Sequence, residues 1–399
     1  MFQPARRLDG IAEYYFAGKL REIAQLRQNG RPVLNLGIGS PDLPPAAPVI
    51  EALQTAAAQP AAHGYQPYSG IAELRQAWAD WYQRWYGVRL NPQTEALPLI
   101  GSKEGIVHVA MSFLEPGDVA LCPNPGYPSY RAASLLAGAE VQWYELDAAT
   151  HWLPDLQALE KTDLRRVKIM WVNYPHMPTG ARANPAFFQE LVDFGRRHQI
   201  LIVNDNPYSF ILNEQPISIL HADGAFETAL ELNSLSKSHN LAGWRVGLVA
   251  GHAEHIGAIL RFKSNMDSGQ FQPVQWAAVR ALQLPDAWYQ HLNECYRERQ
   301  AHAFALLQHL GCRFEEQQQG MFVWARIPAG FRDGFDLSDQ LLYQQDLFLT
   351  PGGIFGSAGD AFIRVSLCSP PAVLAEAGLR ARAFVASKAE AAVSLTPSL

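Results

Sequence analysis

Only four cysteines occur in the 399 residues, Cys122, Cys295, Cys312 and Cys368, and no two of them form a C-x-x-C pair. Such scatter excludes a disulfide scaffold and a cysteine metal motif, and predicts reduced thiols in a cytoplasmic protein. No apolar run approaches the ~18 residues of a membrane span, and the start MFQPARRLDGIAEYYFAGKL lacks the uninterrupted apolar core of a signal peptide. Basic blocks are missing as well. With 32 Lys and Arg against 38 Asp and Glu, the net charge is −6, so the footprint of a nucleic-acid binder is absent and no basic helix-turn-helix is left over. His63, His176 and His239 have no ligand spacing, and no metal is expected. No repeat or low-complexity segment is visible. Small-molecule partners remain.

What the chain does have is a succession of strand-length apolar runs, each followed by turn residues and then by helical periodicity. The runs are ALPLI (Ala96 to Ile100), DVALCP from Asp118, EVQWYEL from Glu140, VKIMWVN from Val167, ILIVND from Ile200, ALELNS from Ala229 and RVGLVAG from Arg245. Near-continuous Val, Ile and Leu means strands covered on both faces, the mark of a mostly parallel sheet between helices. Between them, GIVHVAMSFL puts Ile106, Val109, Ala110 and Phe113 on one helical stripe. Alternation of this kind predicts a doubly wound α/β domain, and the last run, starting at Arg245, reads as antiparallel to the others. After about Gly269 long helices take over, around PVQWAAVRALQ and QHLNECYRERQAHAFALLQHLG, leading to short strands at MFVWARI and FIRVSL. The expected division is a large domain over 46–289 and a smaller α/β domain made of 290–399 and the N-terminal segment 1–45. The final stretch EAAVSLTPSL is expected to fray.

Ligands of such sheets sit beyond the C-terminal ends of the parallel strands. At that edge GSKEG, Gly101 to Gly105, offers backbone N–H groups at a helix start, a phosphate site or simply a turn. Asp205 ends an apolar strand, which is costly without a cation or a cap, and Tyr208 follows three residues later. Lys237 comes after ALELNS, between Ser234, Ser236 and, eight residues on, Arg245. A guanidinium fork and hydroxyls suit a dianionic phosphate. Together these groups comprise a phosphate site, an acid for a ring nitrogen, a phenol for a ring oxygen and a lysine able to form an imine, which is what pyridoxal phosphate requires.

On the motif S-x-S-K with its later arginine (Ser234, Ser236, Lys237, Arg245), preceded by Asp205 and Tyr208, the chain resembles the class I/II aminotransferases of fold type I along nearly its whole length. The resemblance implies that fold, with a mostly parallel seven-stranded sheet and a smaller C-terminal α/β domain. It implies that Lys237 holds the cofactor as a Schiff base and moves the substrate Cα proton. Asp205 would pair with the ring nitrogen, Tyr208 with the ring hydroxyl, and Ser102, Lys103, Ser234, Ser236 and Arg245 with the phosphate. PNPGYPSY places Tyr127 where a ring stacks on the cofactor, and YQPYSGIAELR makes Tyr65 the tyrosine that reaches the phosphate of a neighbouring subunit, implying a homodimer with shared sites. Arg364 of FIRVSL would grip the substrate carboxylate, near the backbone of Gly39 in LGIGSPD, with Gln270 and Phe271 near the partner's site. The closest-looking branch contains the alanine, aspartate and LL-diaminopimelate aminotransferases, and the aromatic stretch Tyr14, Tyr15, Phe16 is either pocket lining or an anchor for the N-terminal segment.

One position departs from the family. Where relatives read N-P-x-N-P-T-G, with the second Asn donating to the cofactor's ring hydroxyl, this chain reads YPHMPTG with Met177, which has no such donor. Either Asn173 or His176 substitutes, or Tyr208 is the side-chain donor. The expected activity is transfer of the amino group of an amino acid to a 2-oxo acid. The alternative is a β-lyase of the same fold.

Overall fold

The computed structural model describes residues 2–11, 13 and 15–394, with 390–394 described through their backbone alone. Tyr14 and residues 395–399 lie outside the described residues, and the helix Pro371–Ser394 runs into the stretch expected to fray. Among the described residues the strands are β1 Leu34–Asn35, β2 Ala96–Leu99, β3 Val119–Asn124, β4 Glu140–Glu145, β5 Val167–Val172, β6 Leu201–Asp205, β7 Ala229–Ser234, β8 Gly247–Gly251, β9 Phe322–Arg326, β10 Leu347–Phe348, β11 Thr350–Pro351 and β12 Phe362–Ser366. Strands β2 to β8 form a seven-stranded sheet in the order β2-β8-β7-β6-β5-β3-β4. Within it β8 is antiparallel to both neighbours, while β4, β3, β5, β6 and β7 pair in parallel.

Each expected strand of this sheet is present, with one difference at its last member. β8 begins at Gly247, and Arg245 lies before it with φ +58°, capping the turn Ala242–Trp244. A side chain inside the ladder would point at one of the packed sheet faces. The left-handed turn instead carries the guanidinium past the strand end. β3, β7 and β8 are buried at every residue, as both-face coverage demands, whereas β4 is an edge whose Glu140, Trp143 and Glu145 are exposed.

The helix Pro185–His198 shows how local signals place these strands. Asn184 caps it by accepting from the Phe187 amide at 2.8 Å, Pro185 occupies the first turn, and Arg196, Arg197 and His198 lie in the last turn, where the helix dipole favours cations. Phe187, Phe188, Leu191, Val192 and Phe194 cover the sheet, each fully buried apolar side chain contributing about 1.5–3 kcal/mol. Gln199 in the left-handed conformation ends the helix and turns the chain into β6, which delivers Asp205 to the sheet edge.

Two smaller sheets complete the fold. β11, β12 and β9 form an antiparallel sheet, and β1 pairs in parallel with β10, joining Leu34 to Leu347. The helix Asp286–His309 lies along this part, with Leu292, Tyr296, Ala303, Leu306 and Leu307 in the same apolar cluster as Val323, Ile363 and Leu374. All four cysteines are unpaired thiols, and among the described residues no helix is long and apolar enough to cross a membrane.

Candidate active site

The winding of the large sheet reverses between β3 and β5, which leaves a crevice at their C-terminal ends. A cavity of about 530 Å³ opens there. It is lined by Gly39, Ser102, Lys103, Tyr127, Asp205, Tyr208, Ser234, Ser236, Lys237, Arg245 and Arg364, whereas Tyr65, Gln270, Phe271, Tyr15 and His176, also singled out in the sequence, do not line it. Tyr65 lies away from the cavity on the surface and is 95% exposed. The strand ends explain the convergence: β6 stops at Asp205, β7 at Ser234, β3 just before Tyr127, and β12 carries Arg364 in from the smaller sheet.

One wall is a row of donors. Gly101, with φ +87° and ψ 158°, caps the helix Ser102–Phe113. A Cβ at Gly101 would stand 2.1 Å from Arg245 Nη2, so only glycine lets that guanidinium approach the helix start. Arg245 is fixed by donating to the carbonyl of Ala242 at 2.9 Å, with Ser236 Oγ and the Ile100 carbonyl each at 3.4 Å. The Ser234 hydroxyl donates to Ser236 Oγ at 2.9 Å and caps the short turn Leu235–Ser238. Glu104, next to these groups in sequence, is turned away: it accepts from the Ile100 amide and from His108 Nε2 at 2.7 Å, and lies 3.6 Å from Lys263 Nζ.

Asp205 is the buried acid of the cavity. The Tyr130 hydroxyl donates to its Oδ2 at 3.0 Å, while Oδ1 is buried with no partner. Burial pushes the carboxyl up to about 7, against the pull of the Tyr130 hydrogen bond, with buried Glu231 adding to the rise. A cation at Oδ1 would reverse that shift. Lys237 crosses the cavity and donates from Nζ to the Gly39 carbonyl at 2.5 Å. Its ammonium is held below the ordinary lysine range by burial, with Arg364 and Arg245 pushing in the same direction.

Arg364 is buried on the other side. Its Nη2 donates to the Gly37 carbonyl at 2.8 Å and its Nη1 to Met177 Sδ at 3.2 Å, and the guanidinium lies 3.8 Å from the Phe322 ring centre. Neither Tyr130 nor Phe322 stands out in the sequence as a site residue, and both look like ordinary core aromatics there. Tyr130 had one signal, since it closes the PNPGYPSY stretch that delivers Tyr127. Phe322 had none.

The sequence model of the family described as "Aminotransferase class I and II" matches residues 31–379. The chain belongs to the class I and II aminotransferases. An LL-diaminopimelate aminotransferase of Desulforudis audaxviator is 42% identical over 383 residues, covering 96% of this chain and 97% of its own. One from Dehalococcoides mccartyi is 40% identical over 368 residues, 92% of this chain and 95% of its own. Among solved structures, substrate-bound BacF from Bacillus subtilis superposes with a TM-score of 0.92 at 34% identity, over 96% of this chain and 98% of that one. A Thermus thermophilus aspartate aminotransferase variant gives 0.90 at 26% identity, covering 96% and 100%. This aminotransferase therefore moves amino groups between amino acids and 2-oxo acids with pyridoxal phosphate, and nothing in these likenesses favours elimination.

The cavity fits that cofactor. The partnerless Oδ1 of Asp205 suits a protonated ring nitrogen, the Arg245 and serine wall suits a phosphate, and the depressed ammonium of Lys237 suits an aldehyde. The side chains around Met177 are hydrogen-bonded within the chain. Asn173 lines the cavity, donates one amide N–H to the Asp205 carbonyl and accepts from the Met177 amide at 2.8 Å. His176 is buried outside the cavity, its Nδ1 at 2.7 Å from Thr179 Oγ1 and its pKa pushed down to about 3 by burial. Tyr208 and Met177 both line the cavity wall. The described residues also bring Glu104, His108 and Asp267 together at metal-ligand spacing, but Lys263 Nζ already lies 2.6 Å from Asp267 and supplies the cation.

Proposed function

We propose that Lys237 is the catalytic residue of an amino transfer carried out in this cavity, and that the side chains around it divide the work. When bound, pyridoxal phosphate supplies an aldehyde for covalent attachment and a ring that draws electrons from the substrate Cα. Asp205 holds the ring nitrogen through Oδ1, Tyr208 the ring oxygen, and Tyr127 lies against the ring. Ser102, Lys103, Ser234, Ser236 and Arg245 hold the phosphate. Arg364 and the Gly39 backbone grip the substrate carboxylate, which fixes the Cα hydrogen toward Lys237. Burial and the two neighbouring arginines keep the lysine amine available as a base, so it takes the Cα proton and later returns one.

The single observation that carries this reading is the buried, partnerless Oδ1 of Asp205 in the same cavity as Lys237. Borohydride reduction of the holoenzyme followed by peptide mass spectrometry tests it. The cofactor mass is expected on the peptide containing Lys237, and Lys237→Ala is expected to lose both the adduct and transfer. An adduct on Lys103 instead overturns the assignment.

We further infer a homodimer. Tyr65, Tyr68 and Phe271 are exposed large aromatics on one surface, brought together where Gln66 bridges to Gly269 and the His63 ring lies 5.8 Å from Phe271. Tyr65 then reaches the phosphate of the neighbouring subunit. The proposed large domain, 46–289, and the smaller one, 1–45 with 290–399, are linked by the helix Asp286–His309. Its Tyr289 packs in the cluster under the large sheet and its Leu292 to Leu307 in the other. Such a protein works in the cytoplasm.

A further inference from the structure

The walls of the cavity differ in chemistry. Its charged side chains are Lys103, Asp205, Lys237, Arg245 and Arg364, and the proposed cofactor and the substrate α-carboxylate take all five. Beyond Arg364 the lip consists of Phe16, Ala17 and Leu20 from the helix Tyr15–Gln28, together with Ile38, Met177 and Phe355. The Arg364 guanidinium is wrapped by rings, with centres at 3.8 Å for Phe322, 4.7 Å for Phe355 and 5.7 Å for Phe16. Among the described residues no second acid or base lines this lip. Arg21, one turn past Ala17, does not reach it and is held on the surface by both oxygens of Glu13. Lys19 is committed to Glu22 and Asp339. The tips that the proposed dimer lends to a neighbouring site, Tyr65 and Phe271, carry rings rather than charges.

We propose that the amino donor has an uncharged, apolar side chain, aliphatic or aromatic, and that Phe16, Leu20 and Met177 select it. This rests on the transfer reading above. A distal carboxylate or ammonium placed against this lip loses its hydration and meets no counter-charge, which discriminates strongly against a diamino dicarboxylate, a dicarboxylate or lysine. An apolar side chain gains by covering the same surface.

Single-turnover conversion of the cofactor to its amine form is followed by absorbance, with one amino acid at a time and no acceptor. Leucine, methionine and phenylalanine are expected to exceed glutamate, lysine and LL-diaminopimelate by about tenfold or more in rate over half-saturation. A charged amino acid that matches or exceeds leucine overturns the apolar assignment and leaves transfer intact. Conversion by none of the six overturns the transfer reading itself. Calorimetric titration of the holoenzyme with unreactive carboxylates adds a binding readout: 4-methylpentanoate is expected to bind more tightly than glutarate, and the reverse order overturns the proposal. Leu20→Glu, at a half-exposed position that tolerates charge, is expected to shift the lysine-to-leucine ratio about tenfold toward lysine. An unchanged ratio overturns the role of this lip.

Discussion

Replacing Met177 with asparagine is expected to lower the pH at which the bound cofactor changes colour. Met177 is 6% exposed, lines the cavity, and uses its sulfur only as an acceptor for Arg364 Nη1 at 3.2 Å. In the proposed arrangement Tyr208 donates to the ring oxygen, and Met177 adds no donor there. With one donor fewer, the oxygen is more basic and holds the proton of the Lys237 Schiff base more tightly. An amide N–H donating to a charged oxygen contributes about 1.5–3 kcal/mol. At 1.36 kcal/mol per pKa unit, Met177→Asn should lower the midpoint by about 1–2 units. The same change gives Arg364 an amide oxygen in place of a weak sulfur acceptor, so KM for the amino acid should rise more than kcat falls. An absorbance titration of matched, fully loaded preparations measures the first effect. A midpoint that stays put or rises in the variant, with cofactor occupancy intact, refutes the reasoning.

Three further outcomes are expected. Burial raises Asp205 and Glu231 to about 7 each in the cofactor-free chain, above their unfolded values, so the stability this confers is complete below about pH 4 and lost as pH rises through 7. Calorimetric melting should show Asp205→Asn gaining on the unsubstituted apo protein between pH 5 and 8, and a difference independent of pH refutes this. Arg299→Met should cost about 2–3 kcal/mol, less than a fully buried pair because Asp42 is partly exposed, and should raise KM for both substrates. Its guanidinium, donating to Asp42 at 2.6 Å and to the Leu367 carbonyl at 3.0 Å, ties down the segment after Gly39; chemical denaturation and steady-state kinetics read the two effects. Gly101→Ala forces a side chain into a conformation reserved for glycine at about 1–3 kcal/mol and drives Arg245 aside, so cofactor affinity by fluorescence titration should fall about tenfold.

The strands of the large sheet were legible in the sequence because coverage on both faces writes itself as unbroken runs such as VKIMWV, and turn residues mark their ends. Those ends place Asp205, Ser234 and Lys237 on one edge with no knowledge of packing, since strand direction alone brings them there. Short strands left no such trace: β1 and β10 are two residues each, and their pairing joins Leu34 to Leu347 across most of the chain. In the sequence Arg245 reads as opening a strand because its apolar followers dominate the pattern, while its left-handed turn depends on what the guanidinium must reach. The residue types that line the cavity can thus be picked out from the chain itself. Only tertiary packing decided that Tyr130 binds one oxygen of Asp205 and leaves the other open, that Met177 and Phe322 meet Arg364, and that the lip beyond it is apolar. Those contacts join residues far apart in sequence, and no local periodicity encodes them.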